Sequence, residues 1–155
     1  MGITFLEKEK LFKLDTPNTT YVLGIVGSEG FLGHAYYGEK IEDVRGVDAL
    51  MRIYENPFTP DANARDRLSF LDCVPMEYSP NGVGDFRESS IRVKTKNGHS
   101  AVLLTYVSHE IYKGKEKPEG LPATFGAEDE VTTLAITCED KVIGLKAILK
   151  YSTFE

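Results

Sequence analysis

The sequence has no tryptophan and two cysteines among its 155 residues. Cys73 and Cys138 lie far apart and match no metal-binding or redox spacing. Two free thiols in a reducing, cytoplasmic setting are the simplest expectation. Basic residues are in deficit: 18 Lys and Arg face 24 Asp and Glu, for a formal net charge of −6. That balance argues against nucleic acid as the main partner, because phosphate binding needs a surplus of cations. No apolar run approaches the ~18 residues of a membrane span, so no membrane partner is expected. The start, Met-Gly-Ile-Thr-Phe-Leu-Glu-Lys, turns charged too soon for a signal peptide. No stretch sustains apolar residues at i, i+3, i+4 and i+7, so helices are not expected.

The chemical signatures of common enzymes are also missing. No Gly-x-Ser-x-Gly elbow occurs. The glycines of Gly24-Ile-Val-Gly-Ser-Glu-Gly30 lack dinucleotide spacing and precede no helix. Asp61, Asn63 and Asp72 form an imperfect calcium loop, with Asp66 at the glycine position and no terminal glutamate. Neither metal nor cofactor is therefore expected. His34 sits among strand aromatics, His99 follows a turn, and His109 precedes Glu110, which strand alternation sends to the opposite face.

What remains is β chemistry. Leu11–Asp15 reads as a first strand, and Thr20–Val26, rich in β-branched and aromatic residues, as a second. Gly27–Gly30 closes a hairpin onto Phe31–Tyr37, where strict alternation places Phe31, Gly33, Ala35 and Tyr37 on one face and Leu32, His34 and Tyr36 on the other. From 38 to 67 the pattern dissolves into a long irregular loop, and Leu68–Val74 resumes strand character. Asn97-Gly98 predicts a two-residue hairpin between Ser90–Lys96 and His99–Val107. A second long connection starts at Glu110. A last hairpin, Thr132–Cys138 with Lys141–Tyr151, is expected to turn at Glu139-Asp140 and to leave an exposed edge near Tyr151. The expected class is all-β: one antiparallel β-sandwich domain over 1–155, with two long irregular loops.

Between two strand-like regions lies Tyr78-Ser-Pro-Asn-Gly-Val-Gly-Asp-Phe-Arg-Glu88. Pro80 lacks a donor, and Gly82 and Gly84 admit positive φ, so the stretch is a folded connection. Asp85 and Arg87 are read as a structural acid–base pair pinning it, with a ligand contact as the sharper alternative.

Several stretches in this order and spacing carry a family likeness. They are Tyr21-Val-Leu, Leu32-Gly-His-Ala-Tyr-Tyr-Gly38, Asp43-Val-Arg-Gly46, Phe58-Thr-Pro60, Glu77-Tyr78, Gly82, Asp85-Phe-Arg87, Ser108–Lys115, Gly120–Thr124 and Val142–Leu145. Together they resemble the N-terminal domain of the family-36 glycoside hydrolases, the bacterial α-galactosidases. Two prolines depart from the pattern, at Pro80 and Pro118. The resemblance implies part of a β-supersandwich placed before a (β/α)8 barrel, which in that family holds the catalytic aspartates of a retaining reaction. Neither catalytic motif is present here, and Lys13-Leu-Asp15 lacks the tryptophan of the nucleophile signature. The chain alone is thus expected to be inactive on galactosides.

The implied partners are the barrel of the same enzyme, further copies in a homo-oligomer, usually a tetramer, and galactosides. The family's irregular loop reaches a neighbouring subunit's sugar pocket, which makes Glu55 a candidate hydrogen-bonding residue there. Phe58 is a candidate apolar wall and Tyr54 a candidate stacking ring. The alternatives are a free-standing carbohydrate-binding module, disfavoured by the missing tryptophan though eight tyrosines are present, and an oligomerising scaffold.

Overall fold

A computed structural model of the chain describes residues 2–27, 29–47, 75–82, 85 and 87–154. Among the described residues seven strands form two antiparallel sheets, and there is no α-helix. The first sheet joins β1 (Gly2–Leu6), β2 (Leu11–Asp15), β3 (Thr19–Val26) and β4 (Phe31–Glu39) in sequence order. The second joins β5 (Thr105–Lys113), β6 (Val131–Asp140) and β7 (Leu145–Phe154). The all-β sandwich expected from the sequence is the observed architecture.

The sheets meet through side chains that alternate inward. Phe12 and Leu14 of β2, Leu23 of β3 and Leu32 of β4 pack against Leu134, Ile136 and Cys138 of β6, with Val102 and Leu104 closing the side. Fully burying a side chain of this size contributes roughly 1.5–3 kcal/mol. The other face of the first sheet is not bare. Leu11, Val22, Val26 and Ala35 form a second cluster under Val44, with Ile41 and Val47 packed on it. This sheet is therefore covered on both sides, which accounts for its apolar strands.

Four expectations need correction. First, β1 was not foreseen. It is short and is followed by the charged run Glu7–Lys10, but Phe5 stacks on Phe12 at 4.5 Å between ring centroids and brings the strand into the core. Second, the alternation of β4 breaks at Ala35. Val22 pairs with Tyr36 and Leu23 with His34, so Ala35 bulges out of the ladder. Tyr37 then shares the face of His34 and Leu32, while Tyr36 joins the opposite cluster.

Third, the Asn97-Gly98 turn forms, but its arms do not form a ladder. Gly98 takes φ 86° and donates to Thr95 O at 2.9 Å, and Thr95 N donates to His99 O at 2.9 Å. Thr105–Lys113 pairs instead with β6. A ladder along the nine-residue β5, bulged between Tyr106 and Ser108, against a β-branched strand outweighs the local turn preference. Glu110–Lys113 therefore belongs to β5, and the second long connection spans 114–130.

Fourth, the last turn falls at 141–144, not at Glu139-Asp140. The Asp140 carboxylate accepts from the backbone N–H of Val142 at 2.8 Å, Ile143 at 3.2 Å and Leu103 at 2.8 Å. It therefore caps the turn from the strand end rather than occupying it. The expected strand at 68–74, the calcium-like loop residues Asp61, Asn63 and Asp72, and Cys73 lie outside the described residues.

Candidate functional site

A polar cluster sits where the two sheets meet. Residues 75–78 run beside β4: His34 N donates to Pro75 O at 2.6 Å and Glu77 N to Leu32 O at 2.9 Å. These two bonds fix the backbone that carries Glu77 and send its side chain, 12% exposed, between the sheets. There the carboxylate accepts the phenol of Tyr21 from β3 through a short hydrogen bond and that of Tyr151 from β7 at 2.8 Å. His34 places Nδ1 3.3 Å from the Tyr21 hydroxyl and 4.0 Å from Glu77. The Tyr21 ring lies 5.2 Å from the His34 ring, 6.1 Å from that of Tyr151 and 5.9 Å from that of Tyr37, whose surface is 68% exposed.

Burial, then the hydrogen bond to Glu77 and its charge, pushes the Tyr21 phenol far above the ordinary tyrosine range. Burial, then the Glu77 charge, does the same to Tyr151. Phenols held this firmly protonated donate hydrogen bonds and do not act as bases near neutrality. Retaining glycoside hydrolysis sets two carboxyl groups ~5–5.5 Å apart across the bond. Here the carboxylate is faced by two phenols and an imidazole. The arrangement fastens one sheet to the other and presents no acid pair.

Two further groups were singled out by sequence. Asp85, with a fully buried side chain, receives Arg87 Nε at 2.9 Å, an Arg87 terminal nitrogen at 2.8 Å and the Arg87 backbone N–H at 3.1 Å. Burial works to raise the Asp85 carboxyl, but the Arg87 hydrogen bonds and charge outweigh it and hold it below the usual range. Gly82, at φ 109°, approaches so closely that an added Cβ would stand 2.9 Å from the Cβ of Ala101. His109 packs on Phe5 and Phe12 and has Nδ1 2.8 Å from the Tyr106 hydroxyl, and burial lowers its pKa. Lys13 is engaged by Asp15 at 2.7 Å. No group of three or more His, Cys, Asp or Glu among the described residues is arranged to hold a metal ion.

Comparison with known proteins turns this scaffold into a member of a family. The model of the glycosyl hydrolase family 36 N-terminal domain matches residues 30–155. The chain belongs to that family. Alpha-galactosidase AgaA of Geobacillus stearothermophilus is 37% identical over 156 residues, which is 100% of this chain and 21% of that protein. The crystal structure of alpha-galactosidase AgaB from the same organism superposes with a TM-score of 0.88 at 36% identity, covering 100% of this chain and 21% of that one. The galactosidase domain of the alpha-galactosidase-sucrose kinase AgaSK gives 0.89 at 32% identity, covering 99% and 21%. This family 36 domain thus spans about a fifth of the length of the relatives it matches.

Of the site residues proposed from sequence, Asp85 and Arg87 are brought into one ion pair, whereas Tyr54, Glu55 and Phe58 lie outside the described residues. The Glu77 clasp was missed. Glu77-Tyr78 belongs to the stretches that carry the family likeness, and the partners of Glu77, Tyr21 and Tyr151, stand 56 and 74 residues away. No local spacing reveals contacts of that range. The nearest signal was an acid beside an aromatic at the entry to a proline–glycine loop.

Proposed function

We propose that this chain is the non-catalytic N-terminal domain of a retaining α-galactosidase that removes terminal α-galactosyl residues from melibiose- or raffinose-type oligosaccharides. Its role is to buttress the catalytic barrel, to take part in building the oligomer, and to lend residues to the sugar pocket of a neighbouring subunit. One observation carries this reading: the chain aligns over its whole length with only 21% of proteins named as α-galactosidases. Its own conspicuous carboxylates support it. Glu77 is occupied by phenols and Asp85 by a guanidinium, which leaves each a structural task.

Joining the chain to a family 36 barrel tests the scaffold role. A full-length enzyme carrying this domain should assemble as an oligomer and turn over nitrophenyl α-galactoside. The barrel without it should lose assembly, solubility or turnover. A barrel equally active and equally assembled alone contradicts the proposal. Within the same reading Glu55 hydrogen-bonds the distal sugar, flanked by Phe58 and Tyr54. Glu55→Ala in the full-length enzyme should raise KM several-fold with little change in kcat, and an unchanged KM removes Glu55 from the pocket.

A further inference from the structure

Among the described strands β1 is the shortest at a sheet edge. Its five residues pair with β2, and no strand pairs with its other side among the described residues. The turn between them, Glu7–Lys10, is charged throughout, and Lys10 takes φ 55°, a left-handed conformation that non-glycine residues seldom adopt. A short ladder and a strained turn give β1 little local stability. Side-chain packing must therefore fasten it. Ile3 and Phe5 lie against the core, and the Phe5 ring stands 4.5 Å from that of Phe12 and 4.5 Å from that of His109 on the opposite sheet.

His109 reaches that joint through a bulge. Tyr106 pairs with Cys138 and Ser108 with Thr137, so Val107 is the extra residue. The bulge sets Tyr106 and His109, three positions apart, on one inward face. There His109 Nδ1 lies 2.8 Å from the Tyr106 hydroxyl, and Tyr106 N donates to Gly30 O at 2.8 Å. Phe12 closes the joint from β2, its ring 4.8 Å from the imidazole at 79°. A ring that titrates near neutrality thus occupies a place that a purely apolar ring could fill.

No acid is set to receive an imidazolium there. β1 carries no titratable side chain. On β2, Lys13 and Asp15 alternate away from Phe12 and pair with each other at 2.7 Å. In the turn, Glu9 acts on Arg45 beyond the other face of that sheet. On β5, Glu110 points to the opposite face, and Lys113 lies at the strand end beside Asp129 O at 3.5 Å. On β6 the group nearest the Tyr106 phenol is the Cys138 thiol, which burial keeps protonated. Burial alone lowers the His109 pKa, with no charged neighbour contributing.

We propose that β1 is an acid-released strap: protonation of His109 detaches β1 from the sandwich while β2–β7 stay folded. Once β1 opens, the imidazole meets water and takes its proton at the ordinary value of 6.5. The closed form binds that proton less readily. His109 therefore supports closure fully above pH 6.5, and the support is lost as pH falls from there through the lowered value. The strap lies in a different aromatic cluster from the Glu77 clasp and does not depend on the scaffold role.

Native-state amide exchange of the 155-residue chain, corrected for intrinsic rates, tests the proposal at pH values on either side of 6.5. Protection of the β1 amides that pair with β2 should fall several-fold on the acid side, by at most about tenfold per pH unit, the limit for one proton. Protection in β6 and β7 should change far less. His109→Phe keeps a ring in the joint and should abolish the pH dependence of β1. The parent chain supplies a second readout should that variant fold poorly: the His109 ring protons should titrate below 6.5, and the Phe5 amide should shift with the same midpoint. Protection of β1 that ignores pH, loss spread evenly over both sheets, pH dependence surviving in His109→Phe, or His109 titrating at or above 6.5 would overturn the proposal.

Discussion

Tyr151 gives its phenol proton to Glu77 at 2.8 Å, and Tyr21 does the same from the opposite sheet. Removing one donor leaves a nearly buried carboxylate short of a partner. Hydrogen bonds to charged groups are worth ~1.5–3 kcal/mol, so Tyr151→Phe should lower the unfolding free energy by about 2 kcal/mol. Chemical denaturation checks this, and a loss below a few tenths would show that the contact is idle.

The same pair sets an alkaline limit. Both phenols have folded pKa values raised above the ordinary 10.0. The folded state therefore keeps protons that the unfolded chain loses. Their contribution is complete below pH 10.0 and is lost as pH climbs through the folded values. Stability should fall above that pH, followed by tyrosinate absorbance and circular dichroism together, and the fall should be shallower in Tyr151→Phe.

At the acid end the sign reverses. Asp15, Asp85 and Asp140 are each held below the ordinary carboxylate value of 3.8, so they stabilise the fold above that pH. Their contribution is lost as pH drops through their lowered values.

Among the elements, β3 and β4 were legible because β-branched and aromatic residues fall between glycine-rich turns. In the second sheet the β6–β7 pairing was legible, but the arm His99–Val107 was assigned to Ser90–Lys96, whereas only its end enters β5, which pairs with β6. Asn97-Gly98 signals a turn through the φ > 0 requirement, and it delivers one. Whether its arms pair depends on β6, which is distant in sequence and whose competing ladder no local pattern can reveal. The bulge at Ala35 was invisible for the same reason, because register is set between strands.

The β6–β7 turn shows how one side chain rules an element. Asp140 is buried at 4% exposure and satisfies three backbone donors. Asp140→Ala should leave those N–H groups without partners and cost ~2–3 kcal/mol. Amide exchange should then accelerate at Leu103, Val142 and Ile143 before it does elsewhere. Uniform acceleration would mean that Asp140 has no local role. At β1, by contrast, short length hid a strand whose Phe5 is fastened to Phe12 and His109 by ring packing.

For the whole molecule, composition and alternation were enough to give two packed sheets, and the family likeness pointed to the family 36 N-terminal domain to which the chain belongs. The site was less legible. Asp85 and Arg87 are two residues apart and could be paired by inspection, whereas the Glu77 cluster draws on β3, β4, β7 and a loop. Glu77, Asp85 and Asp140 are each committed to holding the fold together. The most direct test is turnover of nitrophenyl α-galactoside by the purified 155-residue chain, with a full-length family 36 enzyme in parallel. The account predicts no hydrolysis above the buffer rate by the chain alone and ready hydrolysis by the full-length enzyme. Enzyme-like turnover by the isolated chain would contradict it.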